Sequence, residues 1–111
     1  MTLLISQPIP EEGVEILRKY FKNITVPSEK LTKKEIIHQI RAKAALVCTA
    51  NDLIDEDIIN ASDSLKVISN LAAGYDNIDL MAASKQNIIV TNTPGLVVQS
   101  VSEFVFAHIL S

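Results

Sequence analysis

The sequence predicts an α/β domain built on a parallel sheet of about five strands with helices on both faces. Three features carry that expectation. Short apolar runs alternate with amphipathic helical patterns, as in repeated strand–helix–strand units. The runs are nearly continuous in Val, Ile and Leu, as needed when both faces of a sheet are covered. Of the 111 residues, 48% are apolar and 21% charged, an ordinary globular balance in a chain long enough for one domain.

The first strand is expected over residues 2–6. A helix over residues 11–22 follows Pro10, a good first-turn residue. Glu11, Glu12 and Glu15 lie at its front and Arg18, Lys19 and Lys22 at its back, which suits the helix dipole. Val14, Leu17 and Phe21, flanked by Ile16 and Tyr20, form its apolar stripe. A second strand is expected over residues 24–26.

The next helix opens with Thr32-Lys33-Lys34-Glu35, the pattern of a capping box, with Leu31 and Ile36 spaced as a hydrophobic staple. A strand over residues 44–48 leads to a helix starting at Asp55, where Ile54 and Ile59 repeat the staple. After a strand over residues 66–69, a fourth helix runs from near Asp79 to Asn87, a residue that tolerates a left-handed C-terminal cap. The fifth strand is expected over residues 88–91.

Residues 98–111 differ from everything before them. Val98, Val101, Phe104, Val105, Phe106, Ala107, Ile109 and Leu110 put apolar groups on every side of a helix, and such a helix must be surrounded by protein. No stop signal closes it. The expected organisation is therefore a domain over residues 1–97 and, over 98–111, the start of a helix leading into a further domain.

Ten basic and thirteen acidic side chains give a net charge of −3, which argues against a nucleic-acid or anionic-membrane partner. The single cysteine, Cys48, excludes a disulfide framework and a multi-thiolate metal site. No secretion signal is visible at Met1, and the uncharged stretch 86–102 is interrupted by Thr93-Pro94-Gly95, so the expected setting is the cytoplasm.

Ligands of open parallel sheets sit beyond the carboxyl ends of the strands. Gln7-Pro8-Ile9-Pro10, after strand one, is neither a phosphate-binding loop nor a pair of acids. That excludes a flavin-phosphate site and a phospho-acceptor receiver. With glycines only at 13, 74 and 95, no GxGxxG fingerprint exists. The loop Leu71-Ala72-Ala73-Gly74-Tyr75-Asp76-Asn77-Ile78-Asp79 is the informative one. Small residues at a strand end leave backbone N–H groups uncovered, which suits a small carboxylate. The alternative is a tight turn needing Gly74 at positive φ.

Other residues carry less. His38 reads as a solvated helix residue, His108 as a packed one, and Cys48 as core without an activating base. Asp52, Asp55, Glu56 and Asp57 form an acidic group at a helix start, without the converging ligands a metal needs. No metal is expected.

The stretch from Leu65 to Leu110, with its A-G-Y-D-N-I-D loop, V-T-N-T-P-G turn and S-E helix, closely resembles the D-isomer-specific 2-hydroxyacid dehydrogenases. The first 64 residues resemble them in pattern only. The resemblance implies a flavodoxin-like substrate domain followed by a Rossmann domain that binds NAD or NADP. It implies that backbone N–H groups of Ala73 and Gly74 hold the carboxylate of a 2-oxoacid such as glyoxylate, hydroxypyruvate or a sugar acid. It further implies that Thr49 and Ala50 line the substrate pocket, that Val101 approaches the cofactor and that Pro94 and Gly95 form a hinge. The family's catalytic Arg, Glu and His would lie beyond Ser111, so no catalytic residue is assigned and the chain alone should be inactive. Two alternatives remain: a non-enzymatic, peptide-binding member like the co-repressors of this fold, and a stand-alone carboxylate-binding domain. Self-association through the apolar terminal helix is also expected.

Overall fold

In the computed structural model, residues 2–92 are described. Five strands alternate with four helices: β1 Thr2–Ile5, α1 Glu11–Arg18, β2 Asn23–Thr25, α2 Lys33–Ile40, β3 Ala45–Thr49, α3 Glu56–Asn60, β4 Val67–Leu71, α4 Leu80–Lys85 and β5 Ile89–Asn92. All pairings are parallel and the sheet order is β2-β1-β3-β4-β5, the flavodoxin-like arrangement.

The near-continuous apolar strands divide their side chains between two cores, since successive residues point to opposite faces. On one face Leu3, Ile5, Ala45, Val47 and Val67 pack with Val14, Leu17 and Phe21 from α1 and the turn after it. On the other, Leu4, Leu46, Cys48 and Ile68 pack with residues of α2, α3 and α4. Helices on both faces are thus present.

Local chemistry sets the helix ends. Thr32 and Glu35 form the expected capping box, each side chain bonding the other's backbone N–H. Asp55 caps α3 through Ile58 N–H, and Asp79 caps α4 through Ala82 N–H. Asn87 follows α4 at φ 58°, the left-handed conformation its sequence position suggests. One helix is shorter than expected: α1 ends at Arg18 rather than Lys22. Lys19 and Tyr20 donate back three residues, to Ile16 and Leu17, in a tightened final turn. That turn carries Phe21 into the core at 2% exposure. Strands β3, β4 and β5 each run one or two residues further than the apolar runs, because the hydrogen-bonded ladder continues into Thr49, Asn70 and Asn92. Val101, Pro94, Gly95, His108 and the expected helix over 98–111 lie outside the described residues.

Candidate functional site

The carboxyl ends of β1, β3, β4 and β5 converge on one polar network. Asp52, 2% exposed, anchors its β1 side. Its Oδ2 accepts from Ser6 Oγ at 2.5 Å, Thr49 N at 2.9 Å and Gln7 Nε2 at 3.1 Å. Gln7 Nε2 also donates to Thr49 Oγ1 at 2.6 Å, so the strand end that carries Thr49 is tied to the end of β1. Asp52 therefore does not belong with the other acids: it is buried at the strand end, while Asp55, Glu56 and Asp57 lie around the α3 cap. Among the described residues no group of acids, His or Cys could hold a metal ion.

Two asparagines extend the network into the β4–α4 loop. Asn77 Nδ2 lies 2.9 Å from both the Thr49 and Asp52 carbonyl oxygens. Asn77 and Asn70 also pair through their carboxamides, and Asn70 Nδ2 donates to the Gly74 carbonyl at 2.9 Å. The loop is further fixed by an isolated parallel bridge between Ile54 and Ile78. From β5, Asn92 Nδ2 donates to the Ala73 carbonyl at 2.8 Å while Asn92 Oδ1 accepts from the Tyr75 hydroxyl at 2.5 Å.

These bonds decide where the loop's amides point. The carbonyls of Ala73 and Gly74 are both engaged by side chains, and the peptides are trans. In a trans peptide the N–H points away from the carbonyl, so the Gly74 N–H is turned away from Asn92. Neither Ala73 N–H nor Gly74 N–H donates to any acceptor among the described residues, and both residues are exposed. Gly74 does not take a left-handed φ, and a Cβ built on it meets nothing within 4 Å. The turn itself therefore does not require glycine.

Of the residues singled out in the sequence, Thr49 and Gly74 are drawn into one network through Asn77 and Asn70, and exposed Ala50 follows Thr49 directly. His38 is exposed on α2. Cys48 is fully buried, its Sγ 3.5 Å from Asn70 Oδ1, and burial, aided by the Asp52 charge, pushes its thiol pKa far up. Ser6, Gln7, Asp52, Asn70, Asn77 and Asn92 were not identified as a site from the sequence. The available signal was a polar pair, Ser69-Asn70, ending an apolar strand, since buried polar groups require partners.

Comparison with known proteins agrees with this architecture. The family described as D-isomer specific 2-hydroxyacid dehydrogenase, catalytic domain, matches residues 3–108. The glyoxylate reductase of Thermococcus kodakarensis is 33% identical over 110 residues, covering 98% of this chain and 33% of that protein. That of Thermofilum pendens is 36% identical over 109 residues, covering 96% and 32%. The chain thus spans about a third of the length of the curated relatives it matches.

Among solved structures, NAD+-bound 3-phosphoglycerate dehydrogenase of Entamoeba histolytica superposes with a TM-score of 0.75 at 30% identity, over 85% of this chain and 33% of its own. A putative D-isomer specific 2-hydroxyacid dehydrogenase, NAD-binding, from a Polaromonas species gives 0.79 at 29% identity, over 85% and 30%. With the family match running over nearly the whole sequence, this chain belongs to the D-isomer specific 2-hydroxyacid dehydrogenase family.

Proposed function

We propose that the chain is the carboxylate-holding part of an NAD- or NADP-dependent oxidoreductase interconverting a small 2-oxoacid and its D-2-hydroxyacid, with glyoxylate, hydroxypyruvate or a sugar acid as substrate class. The observation that carries the reading is the Gly74 N–H, turned away from Asn92 and, like the Ala73 N–H, without an acceptor among the described residues, beside open space where a side chain would stand. Backbone donors held in place at a strand end suit a carboxylate, which fixes the substrate's orientation without a charged side chain. Thr49 and Ala50, across the network, line the same mouth in this reading.

The described residues do not fit a dinucleotide. The β1–α1 turn is Gln7-Pro8-Ile9-Pro10, and Pro10 at the N-cap supplies no side-chain cap bond. The cofactor in this reading is held by a further domain of a longer parent protein, with Val101 approaching it and Pro94 and Gly95 acting as the hinge. Arg, Glu and His of the catalytic set lie, in this reading, in that further domain or just after it, so residues 1–111 alone are inactive. No nucleic-acid or membrane role is proposed; among the described residues no helix is long and apolar enough to cross a membrane. The cytoplasm remains the proposed setting.

The test is a titration of the ¹⁵N-labelled chain with glyoxylate, with sodium chloride at matched ionic strength as control. The Ala73 and Gly74 amide resonances should move and saturate. If both stay still while other residues move, the carboxylate site lies elsewhere. Self-association through residues 98–111 is checked by sedimentation of the same sample.

A further inference from the structure

The Ala73 carbonyl sits in an exposed part of the loop where water could satisfy it, whereas the Gly74 carbonyl meets the buried Asn70. A side-chain partner for the Ala73 carbonyl is not needed to avoid a buried unpaired group; its effect is to choose an orientation. A peptide plane that turns over exchanges N–H for C=O, and an anion meets a donor in one state and a repelling oxygen in the other. Asn92 acts on the Ala73–Gly74 peptide from β5, and its own carboxamide cannot turn freely. Its Nδ2 faces the Ala73 carbonyl at 2.8 Å and its Oδ1 takes the Tyr75 hydroxyl at 2.5 Å. Asn70 acts from β4 on the next peptide through the Gly74 carbonyl.

We infer that Asn92, oriented by Tyr75, is a positioning residue that holds the Ala73–Gly74 peptide with its N–H toward a carboxylate ligand. This rests on the carboxylate reading above. Neither side chain needs to touch the ligand. Their contribution is to keep the donors in place before the ligand arrives, which lowers the ordering cost of binding. Tyr75 and Asn92 belong to the loop after β4 and the end of β5, so the arrangement also makes the site depend on the register of those two strands, Asn70 opposite Asn92.

The experiment is an oxamate titration of the ¹⁵N-labelled chain and of Asn92→Ala and Tyr75→Phe, with thermal midpoints measured in parallel. Oxamate is a stable mimic of a small 2-oxoacid. In the wild type the Gly74 amide should saturate. Asn92→Ala should weaken oxamate binding about tenfold, because the Gly74 donor is then no longer oriented before the ligand arrives. It should also shift the free-state ¹⁵N resonance of Gly74, with little change in thermal midpoint. Tyr75→Phe should give a smaller loss in the same direction, and it serves alone if Asn92→Ala does not fold. Wild-type affinity in both folded variants would overturn the positioning role while leaving the carboxylate site intact. Absence of any Gly74 response in the wild type overturns both.

Discussion

The carboxamides of Asn70 and Asn77 pair head to tail: Asn70 Nδ2 donates to Asn77 Oδ1 at 2.9 Å, and Asn77 Nδ2 reaches Asn70 Oδ1 at 3.2 Å. Asn70 belongs to β4, while Asn77 follows seven residues later and leans on the Thr49 and Asp52 carbonyls. The pair closes the loop on itself and fastens it to the end of β3. A loop of mostly small residues is thereby given a defined shape.

Replacing Asn77 with Ala removes the partner of two carbonyls and one carboxamide. Leaving such groups unpaired costs about 2 kcal/mol or more in total. Urea denaturation should show that loss, and Asn77→Asp should not restore it, because a carboxylate cannot donate to the Thr49 and Asp52 oxygens.

Gly74→Ala separates stability from binding. The new methyl meets open space and the backbone is not left-handed, so the fold tolerates it and gains up to about 1 kcal/mol from a less free unfolded chain. Carboxylate binding should nevertheless weaken about tenfold, as expected when one hydrogen bond to a charged group is obstructed. Equal affinity in wild type and variant, read by amide titration, would count against the Gly74 amide as the donor.

Thr32→Ala deletes the side-chain half of the α2 capping box. About 1 kcal/mol of stability should be lost. Calorimetry checks this, and Thr32→Ser should retain most of it.

The Lys33 ammonium lies 2.7 Å from Asp55 and 2.8 Å from Asp57, joining α2 to the start of α3. Partial burial raises the Asp55 pKa, but the Lys33 hydrogen bond and the Ile58 N–H outweigh it and leave the carboxyl below its usual value. The Lys33 hydrogen bonds to Asp55 and Asp57 carry its pKa up to about 12. Asp55 therefore contributes stability above the ordinary aspartate range near pH 4, lost as pH falls through its depressed value. Lys33 contributes below about pH 10, lost as pH climbs toward its raised value. Lys33→Met should flatten both ends of a stability–pH curve, modestly, since the pair is solvent-screened.

Cys48 should resist thiol reagents in the native state. Its side chain is buried and burial holds the thiol protonated, while the thiolate is the reactive form. Ellman's reagent should label it only after denaturant is added; rapid labelling of folded protein would show that the β3 end opens readily.

Much of the fold was legible because its signals are local. The Thr32–Glu35 box, the Asp55 and Asp79 caps and the Asn87 turn are each written within a few residues, and each forms as read. The end of α1 was not, because Tyr20 and Phe21 continue the apolar periodicity while the chain tightens to bury Phe21. In the site, Gly74 stood out through the small residues of its loop and Thr49 through family resemblance. The residues connecting them did not, because Asn70 and Asn77 act through partners far apart in sequence. Asp52 was misgrouped for the same reason: its neighbours in sequence are acids, whereas its partners are Ser6, Gln7 and Thr49.

The strand order carries a consequence for how the chain comes to be. Every strand lies beside others from which a helix separates it in sequence, so no sheet pairing can begin from adjacent residues. Thr2 must wait for Asn23 on one flank, and Leu3 for Ala45 on the other. A nascent chain emerging from the ribosome therefore exposes Leu3, Leu4 and Ile5 without their full set of neighbours until Ala45, Leu46 and Val47 have been made. Such distant closures fold slowly and leave sticky segments bare in the meantime. Early synthesis is when this protein should lean most heavily on chaperones.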